Sequence, residues 1–308
     1  MEISTSLRFD RAIAQMGVTQ DRLSKTQEQL SSTKEILKPS DAPDKSAAIT
    51  RLKSVIDQQN SYVATIKSTQ DKFSQQETAL KNTSDVVTRL KELAIQAAND
   101  TNGPEGRKLI AVEVKGLRDQ LLSLANTQDV NGAYIFSGTR ANTVAFAADS
   151  SGKLVYQGDQ TITQVAVGEQ RELANNRSGS QAFGRVIRTA ADGTQTGVGF
   201  FQVIDDLAAA LSNGNDAASL QRAVGELDAA QSGVTESIAA VGSGISVLDS
   251  QSSVADENLL RMKSTLSGME DVDYTEAITR MNKDMLALQA AQSSFAKIAQ
   301  LNLFDYIR

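Results

Sequence analysis

The chain contains no cysteine, no histidine and no tryptophan, and only three prolines. Without cysteine there is neither a disulfide nor a thiolate metal ligand, and the redox compartment leaves no mark on the sequence. Without histidine, Ser-His-Asp and Cys-His catalysis, the usual zinc sites and the one side chain that titrates near neutrality drop out as well. The composition therefore speaks against most enzymes, and no catalytic, cofactor-binding or metal-ligating residue can be named. Aromatic residues make up 5% of the chain while Ala, Gln, Ser, Thr and Leu abound, which suits long, thin helical layers better than a thick core. No apolar run reaches the ~18 residues of a membrane span. The start, Met1-Glu2-Ile3-Ser4-Thr5-Ser6, lacks the basic and apolar regions of a signal peptide. A soluble chain is expected, one that would leave the cell without a cleavable signal. Its 31 basic and 37 acidic residues give a net charge of -6 with no basic stripe, so neither nucleic acid nor membrane is an expected partner.

The 308 residues exceed the ~250–300 at which single cores stop growing, so more than one structural unit is expected. Phe9, Met16, Leu23, Leu30 and Leu37 recur every seven residues with Ile13 on the same face, which predicts an amphipathic helix with a thin apolar stripe. Pro39-Ser40-Asp41-Ala42-Pro43 ends it, since the first proline disfavours a helical Lys38 and the second can open a new helix. Ile66, Phe73, Leu80, Val87 and Ala94 step by seven within a long helix predicted over 45–98, and the third proline lies in the turn after it. Ile110, Val114, Leu117, Leu121 and Leu124 predict a shorter antiparallel partner.

From Asn131-Gly132 the texture changes. Ala133 to Phe136, Leu154 to Tyr156 and Thr161 to Val167 look strand-like, so 131–200 is expected to be an inserted, outward and dispensable β-rich domain. Alternating steps of three and four then run from Leu220 to Met269, predicting a helix roughly 75 Å long at ~1.5 Å per residue. Gly242 and Gly244 are its expected irregularity. The pattern jumps five residues to Tyr274 and resumes at Ile278, Met281, Met285, Leu288 and Phe295, ending near Leu303 and Phe304, which predicts a bend or a second helix after 269.

The fold class expected is mainly α with an inserted β-rich domain, its long antiparallel helices in a coiled-coil-like bundle and its terminal helices paired. Residues 1–42 and 272–308 form the terminal assembly domain in this layout, 43–130 and 201–271 the bundle core. Apolar stripes at both chain ends leave surface to be buried on another molecule, so Phe9, Ile13, Met16, Leu23, Leu30, Leu37, Tyr274, Ile278, Met281, Met285, Leu288, Phe295, Leu303 and Phe304 are the expected assembly interface. The acidic pairs Asp205-Asp206 and Asp271-Val272-Asp273 lack a calcium-loop frame and are expected to be solvated helix-end charges. Gly242-Ser243-Gly244 lacks the third glycine of a dinucleotide loop. Asn82 and Asn176 fit the glycosylation pattern without the secretory context it needs.

Three stretches carry a resemblance. Ile3 to Ser6 and Leu23 to Gln27, running through to Pro39-Ser40-Asp41-Ala42-Pro43, are similar to the conserved start of the flagellin superfamily. Asp273 to Arg280, Leu286 to Ala290 and Leu303 to Ile307 resemble its conserved end. Between them, Asn131 to Thr139 and Tyr156-Gln157-Gly158-Asp159 resemble the hook-associated protein 3 family more than filament flagellin. Thr33 departs from a more usual glycine, a change expected to be mild because a helix tolerates Thr better than Gly. The resemblance implies a structural role at the junction of hook and filament in the extracellular flagellum. It further implies export by the flagellar secretion system with a dedicated chaperone, and a ring of copies between hook-associated protein 1 and flagellin. It implies no cofactor. Filament flagellin is the alternative, and a surface hydrolase or adhesin carried by 131–200 is the alternative from another class.

Overall fold

A computed structural model describes residues 2–99, 102–190, 193–213 and 217–306, with side chains described except at 2–6, 8 and 298–306. Its elements are α1 (Glu2–Ser32), a 3-10 turn at Pro39–Asp41, α2 (Pro43–Ala98), α3 (Pro104–Ala125), β1 (Phe146–Ala148), β2 (Leu154–Tyr156), β3 (Gln164–Gly168), β4 (Arg171–Ala174), α4 (Gly179–Ala182), β5 (Val186–Thr189), β6 (Gln195–Val198), α5 (Phe200–Asn213), α6 (Ala217–Glu270) and α7 (Tyr274–Tyr306). The mainly α class and the paired terminal helices are as the periodicity predicts. Contacts divide the chain into two compact units, 1–58 with 258–308, and 59–257.

In the first unit α1 packs along α7, and Leu23, Ile49, Ile56, Leu259, Val272 and Ala277 are buried. The seam of α1 stops at Ser32, so Leu37 lies outside the helix that its heptad position predicts. Thr33 breaks the helix by taking a left-handed conformation, φ 62°. Beyond it Lys38 is extended, as a residue before proline must be. The Asp41 carboxylate accepts the Leu37 and Lys38 amides at 3.2 and 2.9 Å, satisfying the backbone of the elbow.

In the second unit Ile66, Leu80, Val87, Leu90 and Leu93 of α2 share one apolar core with Val114 and Leu121 of α3, Leu207 and Leu211 of α5, and Leu220, Leu227 and Val234 of α6. Helix α5 earns its place by a strong apolar face, from Phe200 and Phe201 through Ile204 and Leu207 to Leu211. Helix α6 is continuous through Gly242 and Gly244, contrary to the expected irregularity. At Gly244 a Cβ would lie 2.6 Å from the Phe73 ring, so the missing side chain is the space that the ring fills.

Residues 131–200 depart furthest from expectation. Among the described residues the strands of this segment form three separate antiparallel hairpins, β1 with β2, β3 with β4 and β5 with β6. Ala133 to Phe136 is turn, with Tyr134 in a single bridge to Gln128. Nor is the segment an outward appendage. Phe136, Phe146 and Phe183 are buried in the same core as the helices, and Phe146 and Phe183 meet Phe201 with ring centroids 5.1 and 6.2 Å apart. Strand-like composition marked the segment but could not show that its aromatic rings point into the helical core.

Candidate assembly surface

The terminal pair is built from two weakly apolar helices, and what each buries is decided by its partner. Ring centroids of Phe9 and Phe295 lie 5.3 Å apart edge to face, while at the opposite end Lys34 bridges Asp271, so α1 and α7 run antiparallel. Along the seam Leu23 is buried, and Phe9, Met16, Leu30, Met281, Leu288 and Phe295 are half-buried. Thr19 and Thr26 also enter the seam; each hydroxyl donates at 3.0 Å to the carbonyl one turn back, at Gln15 and Arg22, so neither hydroxyl is stranded there.

The apolar stripe is wider than the contact. Ile13 is 54% exposed, Tyr274 49%, Ile278 44% and Met285 40%. At ~100° per residue, Ile13 projects roughly 90° round α1 from the seam, and Tyr274, Ile278 and Met285 project roughly 90° round α7 in the same rotational sense. Because the helices are antiparallel, both rotations lead to the same side of the pair. This side carries uncovered apolar surface with no inward role. Leu37 is half-buried in the elbow, and the side chains of Leu303 and Phe304 lie outside the described residues. Leu7, Val18 and Leu286, absent from the heptad series, are exposed on other faces.

The acidic pairs acquire definite roles. Asp205 and Asp206 lie inside α5, where Asp205 accepts Arg118 Nε at 2.7 Å and Asp206 meets an Arg188 terminal nitrogen at 2.7 Å. They are paired mid-helix charges, not the solvated helix-end charges expected. Arg188 is also held in a fork by Glu226, at 2.6 and 2.8 Å, which joins β5 to α6. Asp273 does sit at a helix end: its Oδ1 accepts the Thr275 and Glu276 amides at 2.8 and 3.1 Å and starts α7. Among the described residues no cluster of acidic side chains could hold a metal ion, and no helix is long and apolar enough to cross a membrane.

A second contact, unannounced by periodicity, lies where α6 gives way to α7. Glu270 is buried, with Lys34 Nζ at 3.0 Å on one carboxylate oxygen and Lys53 Nζ at 2.6 Å on the other. Burial pushes the Glu270 pKa up, but the hydrogen bonds and charges of Lys53 and Lys34 outweigh burial and hold it below the usual range. Lone charged residues scattered over a chain give no sign that they will meet.

The middle stretches that carry the resemblance, 131–139 and 156–159, are clamped to one another. The Tyr156 hydroxyl lies 2.9 Å from the Phe136 carbonyl and 2.7 Å from that of Asp159. Gly138 takes φ 71°, and a Cβ there would overlap Asp159, whose carboxylate binds both the amide and the hydroxyl of Thr139.

Comparison with known proteins agrees with this architecture. The model of the bacterial flagellin N-terminal helical region matches residues 3–141, and that of the C-terminal helical region matches 224–307. Flagellar hook-associated protein 3 of Escherichia coli is 28% identical over 99% of this chain and 99% of its own length. A flagellin of Clostridium tyrobutyricum is 27% identical over 50% of this chain and 41% of its own. A crystal structure of the Legionella pneumophila flagellar hook-associated protein 3, 18% identical, superposes with a TM-score of 0.65 over 72% of this chain and 98% of that one. The two family matches cover the helices at both ends of the chain, and the chain belongs to the flagellin superfamily of bacterial flagellar proteins.

Proposed function

We propose that this chain is the structural junction protein between hook and filament of a bacterial flagellum. The observation that carries this is likeness along essentially its entire length to hook-associated protein 3, 99% of both chains, whereas the flagellins of Clostridium tyrobutyricum and Listeria innocua align over 50% and 73% of this chain. In this reading the chain is exported by the flagellar secretion system, held beforehand by an export chaperone, and assembled outside the cell as a ring of copies with hook-associated protein 1 on one side and flagellin on the other. Residues 1–42 and 272–308 serve as the assembly domain. The uncovered side of the α1/α7 pair, with Ile13, Tyr274, Ile278 and Met285, supplies apolar surface that stacking copies would remove from water.

The test is complementation of a strain that lacks the gene. Such cells should keep their hooks and shed flagellin monomers, and the wild-type chain should restore filaments. The double variant Ile13→Asp with Met285→Asp should be exported and yet fail to restore them, since both side chains are already solvated in the monomer and the change spares its fold. Filaments of normal length with that variant would reject this face, and a deletion strain with intact filaments would reject the junction role itself.

A further inference from the structure

The chain breaks its helices after α1 and again between α6 and α7, and each break alone would act as a swivel. They are instead fastened to one another. Lys34 and Asp271 face each other in a single antiparallel rung: the Glu35 amide donates to the Glu270 carbonyl at 2.8 Å and the Val272 amide donates to the Thr33 carbonyl at 3.0 Å. The Gln29 side chain, buried in the last turns of α1, donates at 2.6 Å to the Glu35 carbonyl and fixes the loop from the other side. Glu270 closes the arrangement, because Lys34 belongs to the loop and Lys53 to α2, so one carboxylate ties the end of α6 both to the α1–α2 connection and to α2.

The two halves of this contact are unequal. The lysine side chains are 42% and 44% exposed, so they can turn to water if the carboxylate is neutralised. The carboxylate is 8% exposed and cannot do the same if its lysines leave. We propose that Glu270, Lys34, Lys53 and the backbone rung form a latch that makes the two helix breaks a single joint: closed, it carries α1 and α7 as one body on the α2 and α6 stem, and open, it frees both breaks together. This device stands apart from the junction reading and holds whatever the terminal pair binds.

Hydrogen exchange of the isolated full-length chain tests it. The Glu35 and Val272 amides should show matching protection, and Glu270→Gln should accelerate both by the same factor, about tenfold, leaving the amides of α5 unchanged. A second variant removes dependence on one substitution. Facing residues on a rung whose hydrogen bonds lie to either side have Cα atoms ~4.5 Å apart, within reach of a disulfide. Lys34→Cys with Asp271→Cys, in a chain with no other cysteine, should therefore oxidise spontaneously in the native state. Combined with Glu270→Gln it should restore protection of both amides when oxidised, and not when reduced. Acceleration of one amide without the other, unequal protection in the wild type, failure of the disulfide to form, or its failure to restore protection would each overturn the latch.

Discussion

At the scale of single residues, Thr33 shows how a departure from a family pattern changes meaning with its backbone. If residue 33 were helical, threonine would be the milder choice; at φ 62° it is a β-branched residue in the region that glycine occupies freely. Thr33→Gly should therefore raise stability by about 0.5–1 kcal/mol, the left-handed strain of 1–2 kcal/mol relieved less the extra chain entropy of glycine in the unfolded state. Urea unfolding followed by circular dichroism measures this, and a loss would mean that the turn does not hold that geometry. Glu270 supplies a prediction in pH. Its folded pKa lies below the ordinary glutamate value of 4.5, so the contribution of its ion pairs is complete above that value and is lost as pH falls through the lowered one. Protection of the Glu35 and Val272 amides, corrected for intrinsic exchange, should be flat from neutrality to about pH 5 and fall below it. The dependence should vanish in Glu270→Gln.

At the scale of elements, the β hairpins and α5 stabilise each other. Phe200 meets Phe183 and Phe201 meets Phe146, so removal of 131–199 would strip the first turn of α5 of its cover. A chain with this stretch replaced by a short Gly-Ser linker should lose cooperative unfolding instead of keeping it. The graded version is Phe146→Ala, which should cost about 3–5 kcal/mol in urea unfolding with the helical content retained. A cost under 1 kcal/mol would restore the hairpins to the status of an ornament.

At the scale of the whole molecule, the two units hold separate apolar clusters, since the larger core runs from Ile66 to Ala255 and the residues buried around α1 and α7 belong to neither end of it. Leu23→Asp with Leu288→Asp places charge in the seam of the terminal pair, unlike the exposed substitutions proposed for the assembly face. Filament formation should be lost with it, and the main unfolding transition in calorimetry should keep its temperature because residues 59–257 supply that core. If the main transition moved down by several degrees, the terminal pair would be part of the cooperative core, against the division found here.

Helix lengths and positions were legible in the sequence because they depend on spacing within a few residues. The bounds of α2, α3 and α6 follow the three-and-four steps of their apolar residues, and the jump before Tyr274 marks the break at 271–273. Composition likewise announced the hairpin segment through its glycines and β-branched residues. Other features depended on partners distant in the chain. Glu270 meets Lys34 and Lys53 across more than two hundred residues, and Thr33 turns left-handed where its carbonyl receives Val272. The seam of α7 takes part of an apolar stripe that looks uniform in the sequence and leaves Ile278 and Met285 in water. Periodicity states which side chains share a helix face, but how much of that face is covered depends on where another helix lies, and only the tertiary structure decides that.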